Sequence, residues 1–366
     1  MYNDDFLRAK LDERKRQNAF RQLQLNENKT DFCSNDYLGV VKNDLLNRSF
    51  EIKNFLKAGS TGSRLLSGNY PLLEETEKEI ASFHESETAL IFNSGYDANV
   101  GVLSSIPQRG DTVIYDFLSH ASIRDGIRLS FAQSFPFSHN DLNELEKKLQ
   151  HAAGNKFVVT ESVFSMDGDT CPLQELVALC KKYNAHLIVD EAHATGVIGG
   201  KGEGLVQQLR LHPEVFCRIH TFGKACGCHG AVALGSQQLR DYLINFARSL
   251  IYSTSLPEHS MAMIGRSYSI FPALKKERTH LQQLIQIFQT SLLKYEKLSS
   301  LTPIQIVIVP GNDEIKTLSR RLQQKNFDVR PILYPSVPKG KERLRIVLHA
   351  FNTESEVKRL ISELNQ

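Results

Sequence analysis

Apolar residues in the first two thirds of the chain come in short runs, at 89–92, 112–115, 157–160, 187–189 and 215–220, and most are followed by a polar turn and a helical pattern. Runs of this length bounded by turn signals read as buried strands. Their alternation with amphipathic helices predicts an α/β fold, a largely parallel sheet covered by helices on both faces. Covering helices are expected at 143–149 and 173–183. Another should begin at Pro71, a residue suited to a first helical turn, with Glu74 and Glu75 near the positive end and Leu72, Leu73, Thr76, Ile80 and Phe83 along one face.

Beyond about residue 260 the pattern changes to a long helix through His280, Ile285 and Leu292, strands at 304–309 and 344–348, and helices at 315–324 and 354–364. This reads as a smaller α+β domain. At the other end, Phe6, Leu7, Leu11 and Phe20 lie among Arg14, Lys15, Arg16 and Arg21, an amphipathic helix expected to dock on the body. The expected division is an N-terminal helix and arm at 1–38, a large cofactor-binding domain at 39–260 and the small domain at 261–366.

Composition narrows the function. A net charge of +3 over 366 residues, without a dense Lys/Arg block, gives no reason to expect nucleic acid or an anionic membrane as partner. The N-terminus lacks the apolar stretch of a secretory signal, and no run approaches a membrane span, so the expected location is cytoplasmic. Six cysteines are too few for a disulfide framework. Cys226-Gly227-Cys228-His229 has no second ligand cluster, so no metal site is expected. The loop from Gly59 to Gly68 lacks the Gly-Lys-Ser/Thr of a P-loop, and no Gly-x-Gly-x-x-Gly follows the first strand, which argues against nucleotide and nicotinamide chemistry.

In open α/β sheets functional groups gather at the carboxyl ends of the strands. Ser94-Gly95-Tyr96, Ser119-His120, residues 161–165, Asp190-Glu191-Ala192-His193 and Thr221-Phe222-Gly223-Lys224 each follow one of the five runs. Five polar turns at one edge converge on one crevice. An acid and a histidine after one strand, with a threonine and a lysine after another, are what pyridoxal phosphate (PLP) requires. The lysine carries the cofactor as a Schiff base, while the carboxylate keeps the pyridine nitrogen protonated so that the ring accepts electrons.

The chain also resembles a known family, the α-oxoamine synthases of the fold type I PLP enzymes. The resemblance covers nearly all of it, through Ser34-Asn35-Asp36-Tyr37-Leu38-Gly39, Ser119-His120-Ala121-Ser122, Val163-Phe164-Ser165-Met166-Asp167-Gly168-Asp169, Thr221-Phe222-Gly223-Lys224 and Arg343-Leu344-Arg345. It implies a mostly parallel, seven-stranded type of sheet and a homodimer with sites at the subunit boundary. It further implies that Lys224 bears the cofactor and removes the substrate Cα proton, that Asp190 pairs with the ring nitrogen, that His120 stacks on the ring, and that His193 and Ser165 hydrogen-bond its phenolic oxygen. Gly95 and Tyr96 would offer backbone N–H groups to the phosphate at a helix N-terminus, and Thr221 a further hydroxyl. Arg345, helped by Asn35, would hold the amino acid carboxylate, for which a planar guanidinium is suited.

Within the family the branch of biotin synthesis, which joins L-alanine to a pimeloyl thioester with loss of carbon dioxide, is the best match. There Arg21 and Ser336 fall at positions near the acyl substrate. The segment between Arg21 and Cys33 has fewer residues than the family's usual small hairpin, so the place of Arg21 stays open. Other branches, which use glycine with acetyl-CoA or succinyl-CoA or serine with a long acyl thioester, remain alternatives, as does a non-catalytic partner subunit, against which Lys224, Asp190 and His120 weigh.

Overall fold

The computed structural model describes residues 2–25, 28–47 and 56–366. In chain order the strands are β1 (Thr30–Asp31), β2 (Thr88–Phe92), β3 (Thr112–Asp116), β4 (Gln133–Phe137), β5 (Lys156–Glu161), β6 (Ala185–Asp190), β7 (Cys217–Thr221), β8 (Ala231–Gly235), β9 (Ile304–Ile308), β10 (Phe327–Asp328), β11 (Arg330–Ile332) and β12 (Arg343–Val347). They belong to two compact units, one made of Asp36–Ser165 and Thr170–Arg278, the other of Met1–Asn35, Met166–Asp169 and Thr279–Gln366.

The larger unit carries the expected seven-stranded sheet, in the order β2-β8-β7-β6-β5-β3-β4. All neighbours are parallel except β8, which runs antiparallel to β2 and β7. Alternate residues of each central strand enter two separate apolar layers. Val159, Ile188 and Ile219 pack with the helix Gly95–Ser105, while Val158, Leu187 and Val189 pack with the helix Leu173–Lys182. A sheet covered on both faces explains why its strands read as near-continuous apolar runs.

Two strands escaped the apolar pattern. β4 lies at the sheet edge with four of its five residues exposed, and an edge tolerates Pro136 because one side of the strand needs no ladder. β8 has no covering helix of the βα kind before it, because it returns directly from β7 through residues 222–230.

The smaller unit has a three-stranded antiparallel sheet, β11-β12-β9, and the parallel pair β1-β10. Its helices Asn312–Gln324 and Glu354–Leu364 bury Ile315, Leu318 and Leu322 and Val357, Leu360 and Leu364. A capping box fixes the start of the second: Thr353 Oγ1 accepts from Glu356 N–H, and Glu356 accepts from Thr353 N–H.

The units divide between residues 278 and 279, whereas the sequence pattern changes near 260. The intervening helix Glu258–Ile270 packs on the helix Pro71–Phe83 of the larger unit, where Phe83 meets Tyr268 and Phe271 edge to face. The N-terminal segment also departs from the expectation of docking through an apolar face. Its helix Asp5–Arg16 buries no residue, and Phe6, Leu7 and Leu11 are exposed. Attachment comes just after the helix, where Asn312 Nδ2 donates to Gln17 O and Lys316 Nζ to Asn18 Oδ1.

Candidate active site

The strand ends of the larger unit assemble the first group of side chains. Val159 of β5, Ile188 of β6 and Ile219 of β7 all point into the layer under the helix Gly95–Ser105. Side chains alternate with period two, so Glu161, Asp190 and Thr221, each two residues further on, end three adjacent strands on that same face. The ladder sets Glu161 beside Asp190.

Asp190 is fixed by two donors. Asn99 Nδ2 reaches one carboxylate oxygen at 2.7 Å and Ala192 N–H the other at 2.8 Å. Asn99 also donates to Ser122 Oγ at 3.0 Å, and that hydroxyl lies 2.7 Å from His120 Nδ1. The chain of contacts from imidazole to carboxylate is continuous. His120 caps the helix Ala121–Leu129, and its own N–H donates to Glu161 Oε1 at 2.6 Å.

Lys224 sits in the β7–β8 connection. Phe222 N–H donates to Gly230 O and Cys228 N–H to Phe222 O, while Gly227 N–H donates to Lys224 O, which pins the backbone around the amine. The amine and Asp190 act on the same two neighbours. Desolvation at the inner edge of the otherwise exposed His120 lowers the imidazole pKa, with Asp190 acting against this and Lys224 adding to it. Burial raises the Glu161 carboxyl, with Asp190 adding and Lys224 opposing.

The remaining predicted residues of this unit are placed as follows. His193 is buried, with Nδ1 2.6 Å from the Tyr37 hydroxyl. Thr221 Oγ1 lies 3.6 Å from where a Cβ on Gly95 would stand, so this hydroxyl adjoins the start of the helix. Tyr96 is exposed and its hydroxyl donates to Asp125, which leaves its backbone as the part at the helix N-terminus. Ser165 is half-buried and is the last residue before the chain enters the smaller unit at Met166.

In the smaller unit Arg345 Nη2 donates to Asn35 Oδ1 at 3.0 Å, and Arg21 Nη2 to Ser336 Oγ at 2.8 Å. The pair Arg345 and Asn35 named from the sequence is thus brought together, and Arg21 and Ser336, named separately, also meet despite the short segment after Arg21, of which Asn26 and Glu27 lie outside the described residues. Residues 166–169 are clasped here as well. Arg343 pairs with Asp167 and donates to Met166 O, and Gly168 O accepts from Ser300 Oγ and Thr302 Oγ1 at 2.6 and 2.8 Å. Gly168 has φ +75°, and a Cβ there would stand 2.2 Å from Ile304 O. Only glycine fits that step of the motif.

The larger unit's donor set fits pyridoxal phosphate. It offers an amine for the aldehyde, a carboxylate for the pyridine nitrogen, an imidazole beside both, and a helix start whose first N–H groups have no acceptor within the helix. Ser119 Oγ and Asn99 Oδ1 are buried without a hydrogen-bond partner among the described residues, as expected of a site built to receive a polar group. Asn99, Tyr37 and Glu161 escaped assignment from the sequence. Asn99 stands one turn beyond Gly95, a spacing that places it at the same helix start, and Tyr37 lies inside the motif Ser34-Asn35-Asp36-Tyr37-Leu38-Gly39.

A mostly parallel sheet with this acid, histidine and lysine at its carboxyl edge defines a PLP-dependent transferase of fold type I. The chain belongs to the aminotransferase class I and II family, whose model matches residues 27–364, and its cofactor is pyridoxal phosphate. It is 41% identical to 8-amino-7-oxononanoate synthase of Emericella nidulans over 98% of this chain and 94% of that protein. Among solved structures, 8-amino-7-oxononanoate synthase of Francisella tularensis is 29% identical, with TM-score 0.75 over 93% of this chain and 98% of that one. A serine palmitoyltransferase solved with a PLP internal aldimine is 25% identical, with TM-score 0.87 over 99% and 96%.

Proposed function

We propose that this protein catalyses the decarboxylative condensation of L-alanine with a pimeloyl thioester to give 8-amino-7-oxononanoate, a step of biotin synthesis, and that it works as a homodimer in the cytoplasm. Among the described residues no helix is long and apolar enough to cross a membrane. The larger unit acts as the PLP-binding domain and the smaller one supplies substrate contacts. The observation that carries the reading is the connected group Asp190–Asn99–Ser122–His120 with Glu161 and Lys224, in a chain 41% identical over nearly its full length to a synthase of that name.

When bound, the cofactor supplies an electron sink for the carbanion that forms the new carbon–carbon bond and for the loss of carbon dioxide. Lys224 would anchor the cofactor through its amine and would be the group to take the alanine Cα proton. Asp190, fixed by Asn99 and the Ala192 N–H, would pair with the pyridine nitrogen. His120 would meet the ring, and His193, set by Tyr37, would orient the phenolic oxygen together with Ser165. Gly95 and Tyr96 N–H groups and the Thr221 hydroxyl take the phosphate. Arg345 with Asn35 receives the alanine carboxylate, and Arg21 with Ser336 the distal carboxylate of the acyl chain.

One observation favours a second reading: the serine palmitoyltransferase fold superposes at TM-score 0.87, against 0.75 for the Francisella tularensis synthase. That reading makes serine and a long acyl thioester the substrates. Incubating purified protein with PLP, each of alanine, glycine and serine, and pimeloyl, acetyl, succinyl and palmitoyl thioesters, followed by product mass, separates the two. Product from alanine and the pimeloyl thioester is expected; a strong preference for glycine or serine contradicts the proposal.

A further inference from the structure

Two carboxyl groups stand side by side on one face of the sheet, and only one has an obvious task. Glu161 and Asp190 are ladder partners at the ends of parallel strands, 2% and 6% exposed. Two adjacent buried carboxylates repel each other strongly, so one of a pair retains a proton. Asp190 accepts from Asn99 Nδ2 and Ala192 N–H, whereas Glu161 accepts one bond, from His120 N–H at 2.6 Å. More donors favour the charged form, so the shared proton of the pair belongs on Glu161.

We infer that Glu161 is a proton-bearing positioning residue of the cofactor site, whose uncharged carboxyl anchors the His120 backbone and leaves the charge beside the pyridine ring to Asp190 alone. The inference rests on the PLP reading above. Burial raises the Glu161 carboxyl, and so do Asp190 on β6 and Asp116 on β3; Lys224 from the β7–β8 connection and the His120 N–H oppose them. A second carboxylate at this place would overcompensate a single pyridinium. A neutral acid keeps the hydrogen bond to His120 without adding charge, and His120 is the residue that would meet the ring.

The test uses the holoenzyme, Glu161→Gln and Glu161→Leu. For each, the PLP dissociation constant is measured along with the pH midpoint of the visible absorption change of the lysine-bound cofactor. Gln keeps an acceptor for His120 N–H and carries no charge, so the midpoint of Glu161→Gln stays near that of the unsubstituted protein. Leu lacks the acceptor, and loss of that bond weakens PLP about tenfold. An ionised Glu161 gives the opposite result: removing its charge lowers the midpoint in Glu161→Gln by about one pH unit or more, and that result overturns the inference. So does a Glu161→Leu variant that folds and binds PLP as tightly as the unsubstituted protein. Should the Leu variant fail to fold, the spectrum of Glu161→Gln still decides the charge state. Failure of the unsubstituted protein to bind PLP overturns both this inference and the functional proposal, whereas a shifted midpoint in a PLP-loaded variant overturns this inference alone.

Discussion

Asp190 and Arg21 occupy contrasting surroundings. Asp190 closes a buried strand, with one donor on each carboxylate oxygen and a line of contacts running on through Asn99 and Ser122 to His120. Arg21 lies exposed in an irregular segment and donates to an exposed serine. Cofactor chemistry needs fixed charges in a desolvated place, where a mislaid dipole costs most. A contact such as the one proposed for Arg21 at the far end of an acyl chain needs neither.

The contrast is broken most severely at the amine. Lys224→Ala should lower kcat by at least about a hundred- to ten-thousandfold, the scale of a lost positioned proton-transfer group, with circular dichroism unchanged because the pinning bonds around residue 224 are made by backbone. Ordinary turnover in that variant would remove the lysine from the chemistry. Next in size is Asn99→Ala, which strips one donor from a buried carboxylate. A hydrogen bond to a charged group contributes about 1.5–3 kcal/mol, so PLP affinity should fall roughly ten- to a hundredfold, read by cofactor titration.

In the smaller unit the effects should be narrower. Arg345→Lys exchanges a planar fork for a point charge and should raise KM for alanine by about tenfold with PLP affinity unchanged. A rise in the PLP dissociation constant instead would place Arg345 at the cofactor. Arg21→Ala is expected to raise KM for the pimeloyl thioester by no more than about fivefold, the scale of an exposed ionic contact, and to leave the melting temperature unchanged. Loss of stability there would mean that the segment is structural.

The smallest effect at neutral pH lies behind the strand ends, where the tilted rings of His84 and His220 lie 4.1 Å apart between centroids and are fully buried. Burial foremost, with Arg218 adding, lowers His84 to about 3, and burial also takes His220 well below its ordinary value. Both are neutral when folded, while the unfolded chain binds their protons below about 6.5. Stability from this pair is therefore full above pH 6.5 and lost as pH falls toward about 3. The drop in melting temperature from pH 7 to pH 4 should be shallower for His84→Gln than for the unsubstituted protein. An equal drop would show that His84 titrates normally.

How much of this could be read from residues alone follows the same contrast. β5, β6 and β7 were legible because two covered faces force unbroken apolar runs, and the residue after each run had to stand at the carboxyl edge. β4 was not, since an exposed edge strand carrying Pro136 leaves no apolar signature. Asp190 and Lys224 stood out by residue type in a motif. Asn99 and Glu161 did not, because a buried amide and a buried acid acquire their meaning from partners on other strands and helices. Family resemblance set Arg21 and Ser336 each near the acyl substrate, but their direct contact over more than three hundred residues is set by tertiary structure. The N-terminal helix misled in the other direction: its apolar residues suggested a docking face, yet the helix buries none of them.

The most direct test is to load the purified protein with PLP, reduce it with borohydride to trap the cofactor on the amine that bears it, and map the modified peptide by mass. A pyridoxyl group on Lys224 is the predicted result. Modification of a different lysine, or of none, contradicts the assignment on which the rest depends.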